Sequence, residues 1–209
     1  QIQKSYCSYQ EVIDDPEVDV IYNALHNGAH APWNIKALAA GKHVLSEKPS
    51  ACNAAEAKEV AAAVSKSGKI FMEGFHYYYH PVFQRALAVL KSGEIGEVIK
   101  VESALLIPMP KPGDLRLQFD LAGGSMMDVG CYAIHSQRMI SQQVAAGEPS
   151  VVKADVNSAD GKIDTKLYVQ LKYPNGVAAL AKGDFESEGM QAPLTITGSK
   201  GSIFLPNFV

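Results

Sequence analysis

Three short segments of the chain hold most of the side chains that could do chemistry. The first runs from Gly41 to Pro49, where an apolar stretch leads into Glu47, Lys48 and Pro49. Proline restricts the preceding residue to extended conformations and allows a cis bond, so the backbone of Lys48 is constrained. Glu47 could anchor the loop or hold the lysine charged. The segment predicts a cation in a defined position, although a lysine taken alone is more often an ordinary surface residue.

A second segment, from Gly123 to His135, combines a carboxylate, a phenol and an imidazole. Asp128, Tyr132 and His135 stand at i, i+4 and i+7, which predicts that they project from one face of a helix. Such a face can move a proton. Taken alone, Asp128 could instead cap the helix, and the Tyr132 ring could be buried with its hydroxyl bonded to a backbone carbonyl.

The third segment, from Asn23 to His30, is polar at the point where an apolar strand ends. In an open parallel sheet, ligands bind outside the carboxyl ends of the strands. A strand predicted at 18–23 leads into this segment, and a strand predicted at 43–46 ends just before Glu47. The sequence therefore predicts that both polar segments lie along one edge of a parallel sheet.

The elements that position these segments alternate between strand and helix in the first third of the chain. The pattern predicts a helix at 30–40 with Pro32 in its first turn, a helix opened by Asn53 and ended by Gly68, and a strand at 69–73. Strands separated by helices of this length form βαβ units, which have right-handed crossovers. An α/β domain is therefore predicted.

After Gly74 the pattern changes. It predicts a helix from Pro81 to Ser92, a strand at 98–107, a helix at 126–140 and five strands at 151–156, 164–173, 177–184, 194–197 and 202–205. The sequence 174–176, Pro-Asn-Gly, is a strong hairpin signal between two of these strands. A run of strands after a βαβ section predicts a second, α+β domain with a mostly antiparallel sheet.

Composition narrows the class of protein. The 209 residues are 47% hydrophobic and 20% charged, which is typical of a globular chain that buries a core. The net charge is −3 and the basic residues are scattered, so nucleic acid is not expected as a partner. No apolar run approaches the roughly 20 residues that span a bilayer, and residues 1–6 resemble neither a signal peptide nor a lipidation motif, so no membrane partner is expected.

Cysteine and histidine spacing bears on metal binding. Cys7, Cys52 and Cys131 are odd in number and form no C-x-x-C pair, which argues against a disulfide framework and a thiolate metal site and favours a reducing cytoplasm. The two histidine pairs at 26/30 and 76/80 have a four-residue spacing, but Gly28 weakens a helix through the first pair and Pro81 borders the second. No metal is expected.

Together these segments resemble the Gfo/Idh/MocA family of NAD(P)-dependent oxidoreductases. The resemblance covers essentially the whole chain in the family's order. It is carried by residues 15–22 leading to Asn27 and His30, by 40–49, by 123–132, and by the landmarks at 93–98 and 196–203. The tyrosine four residues after Asp128 is similar to the dihydrodiol and D-xylose dehydrogenase branch, because inositol-type members carry histidine there.

The resemblance implies a cofactor, NAD or NADP, and a sugar or diol substrate. Tyr132, helped by the ammonium of Lys48, would accept the hydroxyl proton while a hydride moves to the nicotinamide. Asp128 would bind substrate hydroxyls or orient the lysine, and His135 would contact the substrate directly or through a neighbour. The residues implied at the nicotinamide and ribose end of the cofactor are Asn27, His30, Glu47, Lys48 and Pro49.

The resemblance also implies a domain organisation. Residues 1–75 would be the C-terminal part of a Rossmann domain that binds NAD(P), and 76–209 an α+β domain for substrate and oligomerisation, with a homodimer or homotetramer formed through its sheet. No G-x-G-x-x-G occurs in the sequence, so the chain is expected to lack the family's N-terminal phosphate-binding segment. Compared with the family, it is also expected to stop at Phe208-Val209 inside the second domain's sheet and to lack the C-terminal end. The alternatives are a non-catalytic regulator of the same fold that binds sugar or cofactor, and an inactive fragment; Lys48, Asp128 and Tyr132 favour the enzyme.

Overall fold

The computed structural model describes residues 4–145, 147–158 and 160–209. Residues 1–3, which belong to the N-terminal stretch 1–6 that was predicted to be neither a signal peptide nor a lipidation motif, lie outside the described part. The chain divides into two compact units. The first extends to Gly74 and includes Asp120–Ala122, and the second comprises Phe75–Phe119 and Gly123–Val209.

A three-stranded parallel sheet forms the centre of the first unit, with strand order β1-β2-β3. Its elements in chain order are α1 (Tyr9–Asp14), β1 (Val20–Asn23), α2 (Asn27–Ala39), β2 (His43–Ser46), α3 (Ala54–Ser67) and β3 (Phe71–Glu73). Ile13, Ala37, Leu38 and Val44 make its buried apolar core. The predicted parallel α/β arrangement is confirmed, whereas the short helix α1 was not anticipated.

The ends of α3 follow the sequence signals, and the start of α2 does not. The Asn53 side chain accepts hydrogen bonds from the amides of Ala55 and Glu56, and Gly68 ends α3 in the left-handed region at φ +66°. Both predicted caps are confirmed. The prediction that α2 starts at residue 30 is wrong, because His26 is already the extended N-cap and Pro32 lies in the second turn.

The second unit contains a mixed six-stranded sheet with strand order β5-β6-β7-β4-β8-β9. Every neighbouring pair is antiparallel except β4 and β7, which run parallel. The helices and strands are α4 (Pro81–Ser92), β4 (Val98–Leu106), α5 (Cys131–Val144), β5 (Ser150–Ser158), β6 (Asp164–Lys172), β7 (Ala178–Asp184), β8 (Leu194–Gly198) and β9 (Ser202–Leu205). Single 3₁₀ turns occur in this unit at His76–Tyr79 and Leu115–Leu117, and a third turn, Phe119–Leu121, begins in this unit and continues into residues of the first. The mostly antiparallel α+β domain is confirmed.

The hairpin between β6 and β7 forms as predicted. Gly176 has a φ of +92°, its amide donates to the carbonyl of Tyr173, and the amide of Tyr173 donates to the carbonyl of Val177. Large apolar side chains fill the core of this unit: Tyr77, Phe83, Ile140, Tyr173, Phe185, Leu194 and Ile196. No helix within the described residues is long and apolar enough to cross a bilayer.

The segment predicted as one helix over 126–140 begins instead with a π-helical turn, Met126–Gly130, which continues into α5. The carboxylate of Asp164 accepts hydrogen bonds from the Ser125 hydroxyl at 2.6 Å and the Met126 amide at 2.7 Å. A π-turn changes the register of side chains. Tyr132 and His135 therefore keep their α-helical spacing within α5, while Asp128 belongs to the π-turn and not to a continuous i, i+4 face.

Candidate active site

The turn that carries Lys48 is held through its backbone from several directions. The amide of Glu47 donates to the carbonyl of Asn23 at 2.8 Å, and the amide of Ser50 donates to Oε1 of Glu73 at 2.7 Å. The bond between Lys48 and Pro49 is cis. The turn after β2 is thus tied to the neighbouring strands β1 and β3 on both sides.

The carboxylate of Glu47 anchors this turn. Its Oε1 accepts a hydrogen bond from the Tyr22 hydroxyl at 2.7 Å, and its Oε2 accepts one from the backbone amide of Lys48 at 3.2 Å. The bond to Glu47 raises the pKa of the Tyr22 phenol, because a carboxylate acceptor favours the protonated hydroxyl. Of the two roles considered for Glu47, the anchoring one is visible in these contacts.

A network of buried polar side chains lies behind the turn. Asn23, His30, Asn34 and Ser46 are each at most 4% exposed. The Asn23 amide donates to Oδ1 of Asn34 at 2.8 Å and to the carbonyl of His30 at 3.1 Å. The Asn34 amide donates to the Ser46 hydroxyl at 2.9 Å and to the carbonyl of Ser50 at 3.3 Å. Asn34 was missed in the sequence, although it stands four residues after His30 on the same face of α2.

His30 and Asn27, both predicted at the cofactor, direct their polar atoms at backbone carbonyls. The ring nitrogens of His30 lie 2.7 Å from the carbonyl oxygens of Pro49 and Leu25. The Asn27 amide donates to the carbonyl of Ala122 at 2.9 Å. His30 therefore ties together the loops that follow β1 and β2, and any effect it has on a ligand acts through these loops.

One atom at this edge of the sheet fits an external hydrogen-bonding group. Among residues 4–145, 147–158 and 160–209, His26 Nδ1 is the buried side-chain polar atom that has no hydrogen-bond partner. His26 follows β1 directly and caps α2 without a side-chain capping bond. A nicotinamide and its ribose carry donors and acceptors that suit this position, whereas no glycine-rich turn for a pyrophosphate occurs in the sequence.

In the second unit, aromatic rings surround Tyr132. Its ring centroid lies 5.5 Å from that of Phe75, 5.8 Å from that of His76 and 6.0 Å from that of Tyr77. The first two pairs are edge-to-face, the arrangement that the ring quadrupoles favour. Tyr132 is 7% exposed, so its ring is fixed by packing.

His135 lies one turn further along α5 in the same cluster. Its ring stacks on Phe75 at 4.0 Å with an angle of 9° between the planes, and its Nδ1 lies 2.7 Å from the Tyr77 hydroxyl. Burial, and after it the charge of Arg138, lowers the pKa of His135 to about 4, while burial raises the pKa of the Tyr77 phenol. The imidazole is neutral at neutral pH, so the Tyr77 hydroxyl can donate to Nδ1.

Asp128 is paired with a residue that the sequence did not indicate. Arg116 Nε donates to Oδ2 of Asp128 at 2.8 Å, and Arg116 Nη1 lies 3.2 Å from Oδ1 of Asp114. The charge of Asp128 raises the pKa of the guanidinium. Arg116 is 12 residues from Asp128 in the chain, and no local spacing rule links the two positions. The side chain of Asp128 is 16% exposed and that of Arg116 is 40% exposed.

No metal-binding arrangement accompanies these groups. In the part of the chain that the structure describes, no set of three or more His, Cys, Asp and Glu side chains is placed to hold a metal ion.

Two family models match the chain. Residues 1–75 match the model of the oxidoreductase family with an NAD-binding Rossmann fold, and residues 83–204 match the GFO/IDH/MocA C-terminal domain. The two matches follow each other in the order expected from the sequence resemblance.

Curated relatives and solved structures match over nearly the whole chain. D-xylose 1-dehydrogenase (NADP(+)) 2 of Haloferax volcanii is 36% identical over 192 residues, 91% of this chain and 57% of its own length. Trans-1,2-dihydrobenzene-1,2-diol dehydrogenase of Mus musculus is 33% identical over 206 residues, 96% of this chain and 59% of its own. Levoglucosan dehydrogenase in complex with NADH and levoglucosan superposes with a TM-score of 0.86 and 25% identity, over 98% of this chain and 58% of that structure. The chain thus spans less than two thirds of the length of these proteins.

Proposed function

The chain belongs to the Gfo/Idh/MocA family of oxidoreductases, and from that premise we propose that its protein transfers a hydride between NAD or NADP and a hydroxyl or carbonyl group of a sugar or trans-dihydrodiol. The observation that carries the proposal is the anchored turn 47–50, in which a lysine follows a strand of a parallel sheet and hydrogen bonds hold the backbone beside it. A backbone held in this way gives the lysine a defined starting position, which supports a role in catalysis.

We propose the following roles for the candidate catalytic residues. The phenolate of Tyr132 accepts the proton of the substrate hydroxyl during oxidation, and the phenol so formed returns a proton during reduction. The ammonium of Lys48 supplies the positive charge that favours the phenolate form of this tyrosine. The carboxylate of Asp128 accepts hydrogen bonds from substrate hydroxyls. When bound, the nicotinamide ring supplies the hydride chemistry.

The remaining candidate residues support these groups. Four residues shape the loops at the nicotinamide end of the cofactor: Asn27, His30, Glu47 and Pro49. This role is supported by the hydrogen bonds that the side chains of the first three make with backbone groups. His135 acts through its stacking on Phe75 within the Tyr132 cluster. In this proposal residues 1–75 belong to the cofactor-binding domain and 76–209 to the substrate domain.

Steady-state kinetics of the enzyme expressed from its own gene test the proposal. Wild-type protein is assayed with NAD and with NADP against D-xylose and trans-dihydrodiols, following the nicotinamide absorbance. Tyr132→Phe removes the proton acceptor and keeps the ring, so we expect kcat to fall about 10²- to 10⁴-fold, with the dissociation constant of the cofactor little changed.

Tyr79→Phe is the matched control, because Tyr79 is an exposed phenol of the same unit and its loss should leave kcat at the wild-type value. An unchanged kcat in Tyr132→Phe would remove this residue from the mechanism. Cofactor or sugar binding by the wild-type protein without turnover would favour the regulator over the enzyme.

The partner and the compartment are also proposals. We propose that two or four copies associate through the C-terminal sheet, because β5 is exposed at every position and presents Val151, Val152 and Val156 to solvent. A monomer in sedimentation velocity at micromolar concentration would contradict this.

The three cysteines are free thiols, which supports a cytoplasmic location. Recovery of the protein in a secreted fraction would contradict this location.

A further inference from the structure

Arg116 presents hydrogen-bond donors next to the carboxylate of Asp128. Its Nε bonds to Asp128 and its Nη1 lies against Asp114. The Nη2 group, with two N–H donors, takes part in neither contact. The side chain of Arg116 is 40% exposed and that of Asp128 is 16% exposed, so solvent reaches part of this pair.

The double glycine before the π-turn fixes Arg116 in this place. The amide of Gly124 donates to the carbonyl of Arg116 at 2.9 Å. A Cβ at Gly123 would lie 2.5 Å from that same carbonyl oxygen, which real side chains do not allow. Gly124 itself has a φ of +116°, in the region that favours glycine. The backbone of Arg116 is thus seated against the start of the segment that carries Asp128.

We propose that Arg116 and Asp128 together bind two neighbouring hydroxyls of an uncharged substrate, and that Arg116 is a residue that determines specificity for vicinal diols. This inference rests on the proposed function and extends it to the class of substrate. A hydroxyl both donates and accepts hydrogen bonds. One hydroxyl donates a hydrogen bond to the Asp128 carboxylate, and its neighbour accepts a hydrogen bond from the Arg116 guanidinium.

The charges of this cluster favour a neutral ligand. Arg116 is one cation between two carboxylates, those of Asp114 and Asp128. Because two carboxylates already share the charge of this guanidinium, it offers hydrogen-bond donors more than an unpaired positive charge, and an uncharged polyol exchanges its hydrogen bonds with water for charge-assisted bonds. Sugars and cyclic diols with adjacent hydroxyls meet this description.

The experiment compares a vicinal diol with its analogue that lacks one of the two hydroxyls. For the wild-type enzyme we expect a kcat/KM for the diol about 10- to 100-fold above that of the deoxy analogue, because each charge-assisted bond contributes on this scale. In Arg116→Gln the KM for the diol should rise about 10-fold or more, while the KM for the deoxy analogue stays within about 2-fold. Arg85→Gln, the same change at an exposed arginine on α4 of the same unit, should leave both values unchanged.

The outcomes separate this inference from the proposed function. Turnover of any sugar or diol with NAD or NADP by the wild-type enzyme decides the function. Equal losses for the diol and its deoxy analogue in Arg116→Gln would show a merely structural ion pair and overturn the inference. If the variant does not fold, or if turnover is absent, saturation-transfer NMR on the wild-type protein measures binding of the two compounds directly, and equal binding would also overturn it.

Discussion

His135 should cause the second unit to lose stability as the pH falls from 6.5 towards 4. Burial lowers the pKa of this imidazole from its ordinary value of 6.5 to about 4 in the folded protein. In the unfolded chain the ring titrates near its ordinary value. Between the two values the unfolded state binds a proton that the folded state does not bind, so the free energy of unfolding falls as the pH falls. Below about pH 4 both states bind it, and the loss ends.

The size of the effect follows from the shift. The difference between 6.5 and about 4, at about 1.4 kcal/mol per pH unit, sets an upper bound of roughly 3.5 kcal/mol. Since the His135 ring is only partly buried, water screens some of this penalty, and we expect about 2 kcal/mol. Replacing His135 with glutamine removes the titrating ring and should abolish this part of the pH dependence.

Urea unfolding at about pH 7 and about pH 4 measures the effect. The backbone amide signals of α5 should be followed by NMR, because the single tryptophan, Trp33, lies in the other unit. Acid effects of other groups occur equally in wild type and His135→Gln, so the difference between the two proteins isolates this ring. Tyr77→Phe should lower the stability by about 1 kcal/mol at both pH values, through its hydrogen bond. Parallel losses in wild type and His135→Gln would refute the reasoning.

Two further substitutions test the packing inside the second and the first unit. Gly183→Ala should destabilise the second unit by about 1–3 kcal/mol, because the added Cβ would lie 2.8 Å from Gly130 Cα. Urea unfolding followed by the NMR signals of α5 measures this loss of stability. In the control Gly189→Ala the added Cβ has no heavy atom within 4 Å, so the stability should change by less than about 0.5 kcal/mol. Asn34→Leu should lower the stability of the first unit by about 1–3 kcal/mol, since it leaves the buried hydrogen-bond partners of Asn34 unpaired. Urea unfolding followed by Trp33 fluorescence measures this change. An unchanged unfolding midpoint would contradict a role of the buried polar network around Asn34 in stability.

The elements with local signals were predictable from the sequence. The bounds of β2 and both ends of α3 agree with the prediction, because a run of apolar residues, an asparagine cap and a left-handed glycine act on their immediate neighbours. The start of α2 was misplaced because His26 caps it without a side-chain hydrogen bond, and Pro32 resembles a first-turn proline.

The parts of the site that depend on distant contacts were not predictable. The π-turn exists where Asp164 bonds to Ser125 and Met126, which are 39 and 38 residues away in sequence. Helical periodicity in the segment itself is compatible with an ordinary α-helix, so it carried no sign of this turn. The pairing of Arg116 with Asp128 also depends on residues that are not neighbours in sequence, because it requires the chain to fold back at the double glycine 123–124.

The polar network behind Lys48 argues that position, rather than stability, shaped this part of the first unit. Apolar side chains of the same size at Asn23, Asn34 and Ser46 would pack in the core without needing partners, and buried polar groups seldom add net stability over such packing. Their hydrogen bonds, however, have defined directions, which apolar contacts lack. Through them α2 fixes the carbonyl groups of Pro49 and Ser50, and β3 fixes the amide of Ser50. The backbone that follows Lys48 is therefore held by side chains from two different elements, α2 and β3, and each of these bonds has a defined direction.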